Sequence, residues 1–251
     1  MNTLLNLVMA IITPFLVSPP PATPPAPPTI VAQAPKAPPP KAASPAPTPA
    51  MPAAKIDVDP TSRVLAGIQG YYAAAQDLKA EFTQHYTYKV YDRVQVSSGR
   101  VFFKKPRMMR WDYRKPASKV FVADGKTLWV YEPEEGQVFK RDLAGSQLPV
   151  ALTFMSGEGD LAKAFDATLI DESAADFVLE LVPKKSAADY QKLVLTVDRG
   201  TYQVRESTVI DPVGNINRVV FTGIKTNSGL PDRGFKFTPP KGVRVISEPG
   251  R

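Results

Sequence analysis

The chain has 251 residues, no cysteine, a single histidine and a formal net charge of +7. Without thiols it has no disulfide, no thiolate metal site and no lipidated-cysteine anchor, and the lone His85 leaves a His-based triad only one candidate member. The basic residues alternate along predicted strands and form no dense cluster, which argues against nucleic acid and leaves a solvated basic surface, or attraction to anionic lipid or an acidic protein face.

In chain order, residues 4–17 (LLNLVMAIITPFLV) form an apolar run too short for a comfortable membrane span. Residues 1–18 therefore fit a signal peptide exported by the Sec route, or an uncleaved apolar anchor, since Pro35 follows the nearby small-x-small site Ala32-Gln33-Ala34. Residues 19–54 hold 15 of the 27 prolines and neither an aromatic nor an acidic side chain. Such a stretch buries too little apolar surface to offset its ordering entropy, so 19–56 is expected to be a Pro-rich disordered spacer, partly polyproline II. One domain, 57–247, and a tail, 248–251, remain.

Asp59 or Thr61 caps a helix with Pro60 at its start, and Val64, Leu65, Ile68, Tyr71 and Tyr72 give the helix, expected over 61–80, an apolar stripe. From Glu81 the period changes to two, with Phe82, Gln84, Tyr86, Tyr88 and Val90 alternating against Thr83, His85, Thr87 and Lys89. Residues 99–131 hold both tryptophans and read as a meander. RMMRWDYRK places Met109, Trp111 and Tyr113 on one face, Lys105-Pro106 and Lys115-Pro116 bracket it, and Asp124-Gly125 marks a hairpin. A strand at 136–142 follows, then short helices around 148–156 and 158–165, where Gly157 and Gly159 break the pattern. DATLIDE, DFVLELVPK, YQKLVLTVDR, YQVRESTVID, INRVVFTGIKT, RGFKFTPP and VRVISE then read as strands in consecutive antiparallel pairing.

The fold expected is mainly β with α: a strongly curved antiparallel sheet, an incomplete β-barrel of about 10–12 strands, because so large a sheet curls. The N-terminal helix and the short mid-chain helices are the only apolar material to cover it. Catalytic motifs are missing: there is no G-x-S-x-G, H-E-x-x-H, Walker A or G-x-G-x-x-G, and the carboxylates Glu132, Glu134 and Glu135 read as an acidic turn. No enzyme, cofactor or metal is expected. What stands out is apolar volume. Val101, Phe103, Met109, Trp111, Tyr113, Val120 and Val122 are assigned to one inner face, with Phe177, Leu179 and Leu181 in the second half. They form either a packed core or the wall of a cavity suited to an acyl chain.

The run LKAEFTQ at 78–84, the basic-Pro and RW segment from Gly99 to Trp111, PASKVFVADGKTLWVYEP with Gln137 following, DFVLELVPK at 176–184 and FKFTPPKGVRVI at 235–246 resemble, in that order, the LolA family of periplasmic outer-membrane lipoprotein carriers. The resemblance covers about 60–247. It implies an incomplete barrel closed by helices and a monomeric periplasmic protein that binds lipoprotein acyl chains without chemistry. Cargo would come from an inner-membrane lipoprotein-releasing ABC transporter and pass to an outer-membrane lipoprotein acceptor. With Phe82, Leu152, Phe154 and Met155, the inner-face residues above would line the acyl-chain cavity. The family's Arg before the meander proline, which holds the lid, is here Lys105, a point charge without the planar fork. Other readings are a regulatory module that senses lipids or proteins with the same half-barrel, and a carrier tethered to the inner membrane by its Pro-rich spacer.

Overall fold

Asp59 and Pro60 start the first element. The Asp59 carboxylate accepts from the Ser62 amide at 3.0 Å and from its hydroxyl at 3.1 Å, and Pro60 sits where a missing N–H costs nothing. Helix α1 (Pro60–Ala74) buries Val64, Leu65, Ile68 and Tyr72 on one stripe. The computed structural model describes residues 59–143, 159–185 and 190–247. The expected leader, spacer and tail, and the expected helix at 148–156, lie outside the described residues.

α1 ends at Ala74, short of 80, because a distant loop engages the next residues. The Gln76 amide donates to Asn227 Oδ1 at 2.8 Å. The Asp77 carboxylate accepts from the amides of Ser228, Gly229 and Leu230 at 2.7, 2.8 and 3.0 Å. Strand β1 (Asp77–Tyr88) therefore begins four positions before the expected Glu81, tertiary contacts overriding a helical stripe.

Five strands follow as a meander: β2 (Arg93–Lys104), β3 (Met108–Lys115), β4 (Lys119–Asp124), β5 (Thr127–Glu132) and β6 (Gln137–Asp142). Both Lys-Pro bonds that bracket β3 are cis. The expected helix at 158–165 is the single turn α2 (Leu161–Ala164), capped by Asp160, whose Oδ1 accepts from the Lys163 amide at 3.2 Å. A second meander comprises β7 (Phe165–Glu172), β8 (Asp176–Pro183), β9 (Lys192–Asp198), β10 (Val204–Ile210) and β11 (Ile216–Thr226), with β12 (Arg244–Ser247) last.

Among the described residues these strands make one large, open, curved sheet of twelve, ordered β12-β6-β5-β4-β3-β2-β1-β11-β10-β9-β8-β7. Pairing departs from strict succession twice. β1 pairs antiparallel with β11 and joins the two meanders, and β12 runs parallel to β6.

RGFKFTPP, expected as a strand, is instead a 3₁₀ turn at Asp232–Phe235 followed by unpaired chain across the outer face. Side chains hold it there. Lys104 Nζ meets Asp232 at 2.6 Å and keeps that carboxyl below its usual range, and Arg110 Nη1 donates to the Gly234 carbonyl at 3.1 Å. Phe235 is buried, and Phe237 packs against Trp129 and Tyr131 at 5.7 Å each. Pro239-Pro240 completes the exclusion from a ladder.

Candidate functional site

The inner face of the sheet is built by parity. In β1 the buried side chains alternate as Leu78, Ala80, Phe82, Gln84 and Tyr86. Register carries that face across the sheet: Leu78 opposes Phe103 and Ala80 opposes Val101, which in turn oppose Met109 and Trp111. Phe82, Val101, Phe103, Met109 and Trp111 are all buried and belong to one core cluster, with Tyr113 packed against it. In the second half Phe177, Leu179 and Leu181 stand opposite Val197, Leu195 and Leu193 and join the same cluster.

Two assigned residues face the other way. Trp111 pairs with Phe121, so Val120 and Val122, one position off, lie on the outer face, and Phe121 and Ala123 take their inner places. Val122 is nonetheless fully buried, because the 3₁₀-turn residue Phe235 and its neighbours cover that side. Burial on both faces removes the alternation that would have told them apart. Leu152, Phe154 and Met155 lie outside the described residues. The inner residues not anticipated include Leu128, Val130, Val219 and Phe221; the signal for them was the register to Trp111, which only pairing reveals.

Aromatic packing concentrates at Trp111. Phe82 meets it edge-on at 4.8 Å, Phe103 at 6.2 Å, and Phe221 is tilted at 6.3 Å. Gly99, in register with both Phe82 and Tyr113, lets those rings meet at 4.8 Å. A Cβ there would fall 2.0 Å from the Asp112 carbonyl oxygen. Burial pushes the Tyr72 and Tyr113 hydroxyls above the usual phenol range, and raises Tyr86 to about 12.

α1 packs into this cluster on the side of the second meander and is tied at several points. Tyr72 Oη accepts from the Val204 amide at 3.2 Å, Tyr71 Oη from Gln203 Nε2 at 2.6 Å, and Thr61 Oγ1 from the Leu169 amide at 3.3 Å. Gln69 donates to the Gly159 carbonyl at 2.7 Å and accepts from the Leu161 amide at 3.3 Å. All of these anchor the helix to the second meander and α2. One tie to the first meander is Lys105, whose Nζ donates to the Ala73 carbonyl in the last turn at 2.6 Å. A cation there also faces the negative end of the helix dipole. Arg110, on the outer face, holds the C-terminal segment instead. Among the described residues no group of three His, Asp or Glu is placed to hold a metal, and no helix is long and apolar enough to cross a membrane.

A family model described as outer membrane lipoprotein carrier protein LolA matches residues 73–238. Relatives bearing the name outer-membrane lipoprotein carrier protein include one from Dechloromonas aromatica (strain RCB), 35% identical over 176 residues, 68% of this chain and 81% of its own length. Another, from Nitrosospira multiformis, is 32% identical over 187 residues, 73% of this chain and 88% of its own. Among solved structures, an uncharacterized conserved protein from Thermus thermophilus superposes with a TM-score of 0.50 at 14% identity, over 74% of this chain and 98% of that one. That last likeness concerns the fold alone.

Proposed function

We propose a carrier function whose premise is that the chain belongs to the LolA family of outer membrane lipoprotein carrier proteins. In this reading the protein works in the periplasm, holds lipoprotein acyl chains between the inner face and α1, and catalyses no reaction. It receives cargo from an inner-membrane releasing transporter and passes it to an outer-membrane acceptor. The observation that carries the reading is a largely apolar inner face with a helix packed into it, the helix held to the first meander by a detachable side-chain bond, Lys105 to Ala73.

Energetics support reversible loading. The inner face is buried as it stands, Trp111 being 3% exposed and Phe121 fully covered, so an acyl chain enters by displacing α1. Re-exposing its four buried side chains costs on the order of 6–12 kcal/mol, while about fourteen methylenes of one chain return about 11 kcal/mol. The two terms are of comparable size. Loading and release are then both within reach of a partner that binds slightly better, which is what a shuttle requires and a sink does not.

The test is extraction. Incubated with inner membranes holding a releasable lipoprotein and the releasing transporter, the full chain is expected to yield a soluble complex of one protein and one lipoprotein. Periplasmic protein isolated free of lipoprotein, and unable to extract one, would overturn the reading.

A further inference from the structure

The inner face is not uniformly apolar, and its polar part is ordered. From the Lys105 side outward, β1 runs Leu78, Ala80, Phe82 and then Gln84, and β3 runs Met109, Trp111 and then Tyr113. β4 runs Ala123, Phe121 and then Lys119, and β5 runs Leu128, Val130 and then Glu132. β11 repeats the pattern with Phe221, Val219 and Asn217. Each of these five strands turns polar at the same end.

These polar groups connect. Gln137 Nε2 donates to Glu132 Oε2 at 2.9 Å, and Glu132 Oε1 meets Lys119 Nζ at 2.7 Å. Lys119 stands opposite Tyr113, whose hydroxyl bonds with Gln84, and Gln84 Nε2 donates to Asn217 Oδ1 at 2.9 Å. Gln84 and Asn217 are 3% exposed and Glu132 6%. Even when its members are paired, a buried polar row is often no more stabilising than an apolar one of the same shape, so stability alone does not account for it. Directly beside the row, the Trp111 indole Nε1 is buried and finds no hydrogen-bond acceptor among the described residues. An indole N–H only donates, and a carbonyl oxygen only accepts.

We infer that the Trp111 indole N–H and the row from Gln137 to Asn217 receive the ester or amide carbonyls of an acylated ligand, with its hydrocarbon tails lying toward Lys105. The inference rests on the carrier reading and names the part of the ligand that is recognised. Hydrocarbon fills the apolar part of these strands' inner face, and a carbonyl, where the chains end, meets the Trp111 indole N–H that the closed protein leaves unanswered, beside a row of groups already bonded to one another. The site thereby fixes which way round the ligand lies, and it distinguishes acylated from alkylated lipids.

The experiment compares two ligands differing only in those carbonyls: an S-diacylglyceryl-cysteine peptide and its dialkyl-ether analogue of equal chain length. The full chain is expected to bind the ester about tenfold more tightly than the ether, and Trp111→Phe and Gln84→Leu to shrink that ratio to about threefold or less. Taking the ratio within each protein cancels any loss of packing. In a Trp129→Phe background the remaining indole N–H proton resonance is expected to move downfield with the ester and not with the ether. Equal binding of both ligands by the native chain, or a preference that survives in both variants, overturns the inference and leaves the carrier reading standing. Binding of neither ligand overturns the carrier reading and this inference with it.

Discussion

Lys105 spans the break between β2 and β3 to reach the Ala73 carbonyl at 2.6 Å, and this side-chain bond, beside the Lys105 amide's bond to the Gln76 carbonyl at 3.0 Å, ties the end of α1 to the first meander. Lys105→Met is expected to remove it at a cost of about 1 kcal/mol. Exchange of the amides in the last turn of α1 should then rise about fivefold, while those of β1 stay unchanged. Lys105→Arg should restore protection, since a guanidinium reaches the same carbonyl with a planar fork. Gly67 makes a second test. A Cβ there would sit 2.4 Å from the Tyr202 ring, so Gly67→Ala gains helix propensity yet is expected to lose about 1–3 kcal/mol through forced displacement of the ring. A urea midpoint at or above that of the native chain would show that α1 does not rest on Tyr202. At this scale the sequence was legible where one face is wet and illegible where both are dry. Period two picked out Met109, Trp111 and Tyr113 because Arg110 and Asp112 mark the other side. In KVFVAD the two charged residues sit at opposite ends on opposite faces, so VFVA between them carries no mark of its side, and Val120 and Val122 face outward, against the expectation.

The elements that local pattern describes well are those that owe least to distant partners. The α1 start was legible from Asp59 and Pro60, and most strands from their bounding Gly, Pro and Asp. The α1 end and the C-terminal segment were not, because each is set by the other across the molecule. Asp77 lies about 150 positions before the loop it organises, accepting three backbone amides while only 5% exposed. Nothing in LKAEFTQ announces this. Bonds of this charge-assisted kind contribute about 1.5–3 kcal/mol where a group is left unsatisfied. Asp77→Ala is accordingly expected to cost about 3 kcal/mol in urea denaturation with the slope unchanged. It should also loosen the outer segment, seen as rapid proteolysis near Leu230. A smaller loss with that segment still protected would mean Phe235 and the Lys104 and Arg110 contacts suffice to hold it.

For the molecule as a whole, the closed inner face has a signature in alkali. Burial, first among the causes in each case, raises the hydroxyls of Tyr72, Tyr86, Tyr88 and Tyr113, with Tyr86 reaching about 12. An unfolded tyrosine gives up its proton near pH 10. Above that pH the folded chain therefore holds protons that the unfolded chain has released, and stability falls as pH rises. The contribution is complete below about pH 10, and for Tyr86 it is lost as pH passes through about 12. Urea midpoints are expected to decline across that window, and the tyrosinate absorbance of these four residues should appear together with loss of near-ultraviolet circular dichroism. Tyr86→Phe should remove part of the decline. Ionisation of the same residues near pH 10 with the fold intact would mean that water already reaches the inner face. That outcome would also change the account of loading, since a ligand would then enter a wet, open site and α1 would have no cover to give up. A dry face ties alkaline stability and ligand entry to the same event, the lifting of α1.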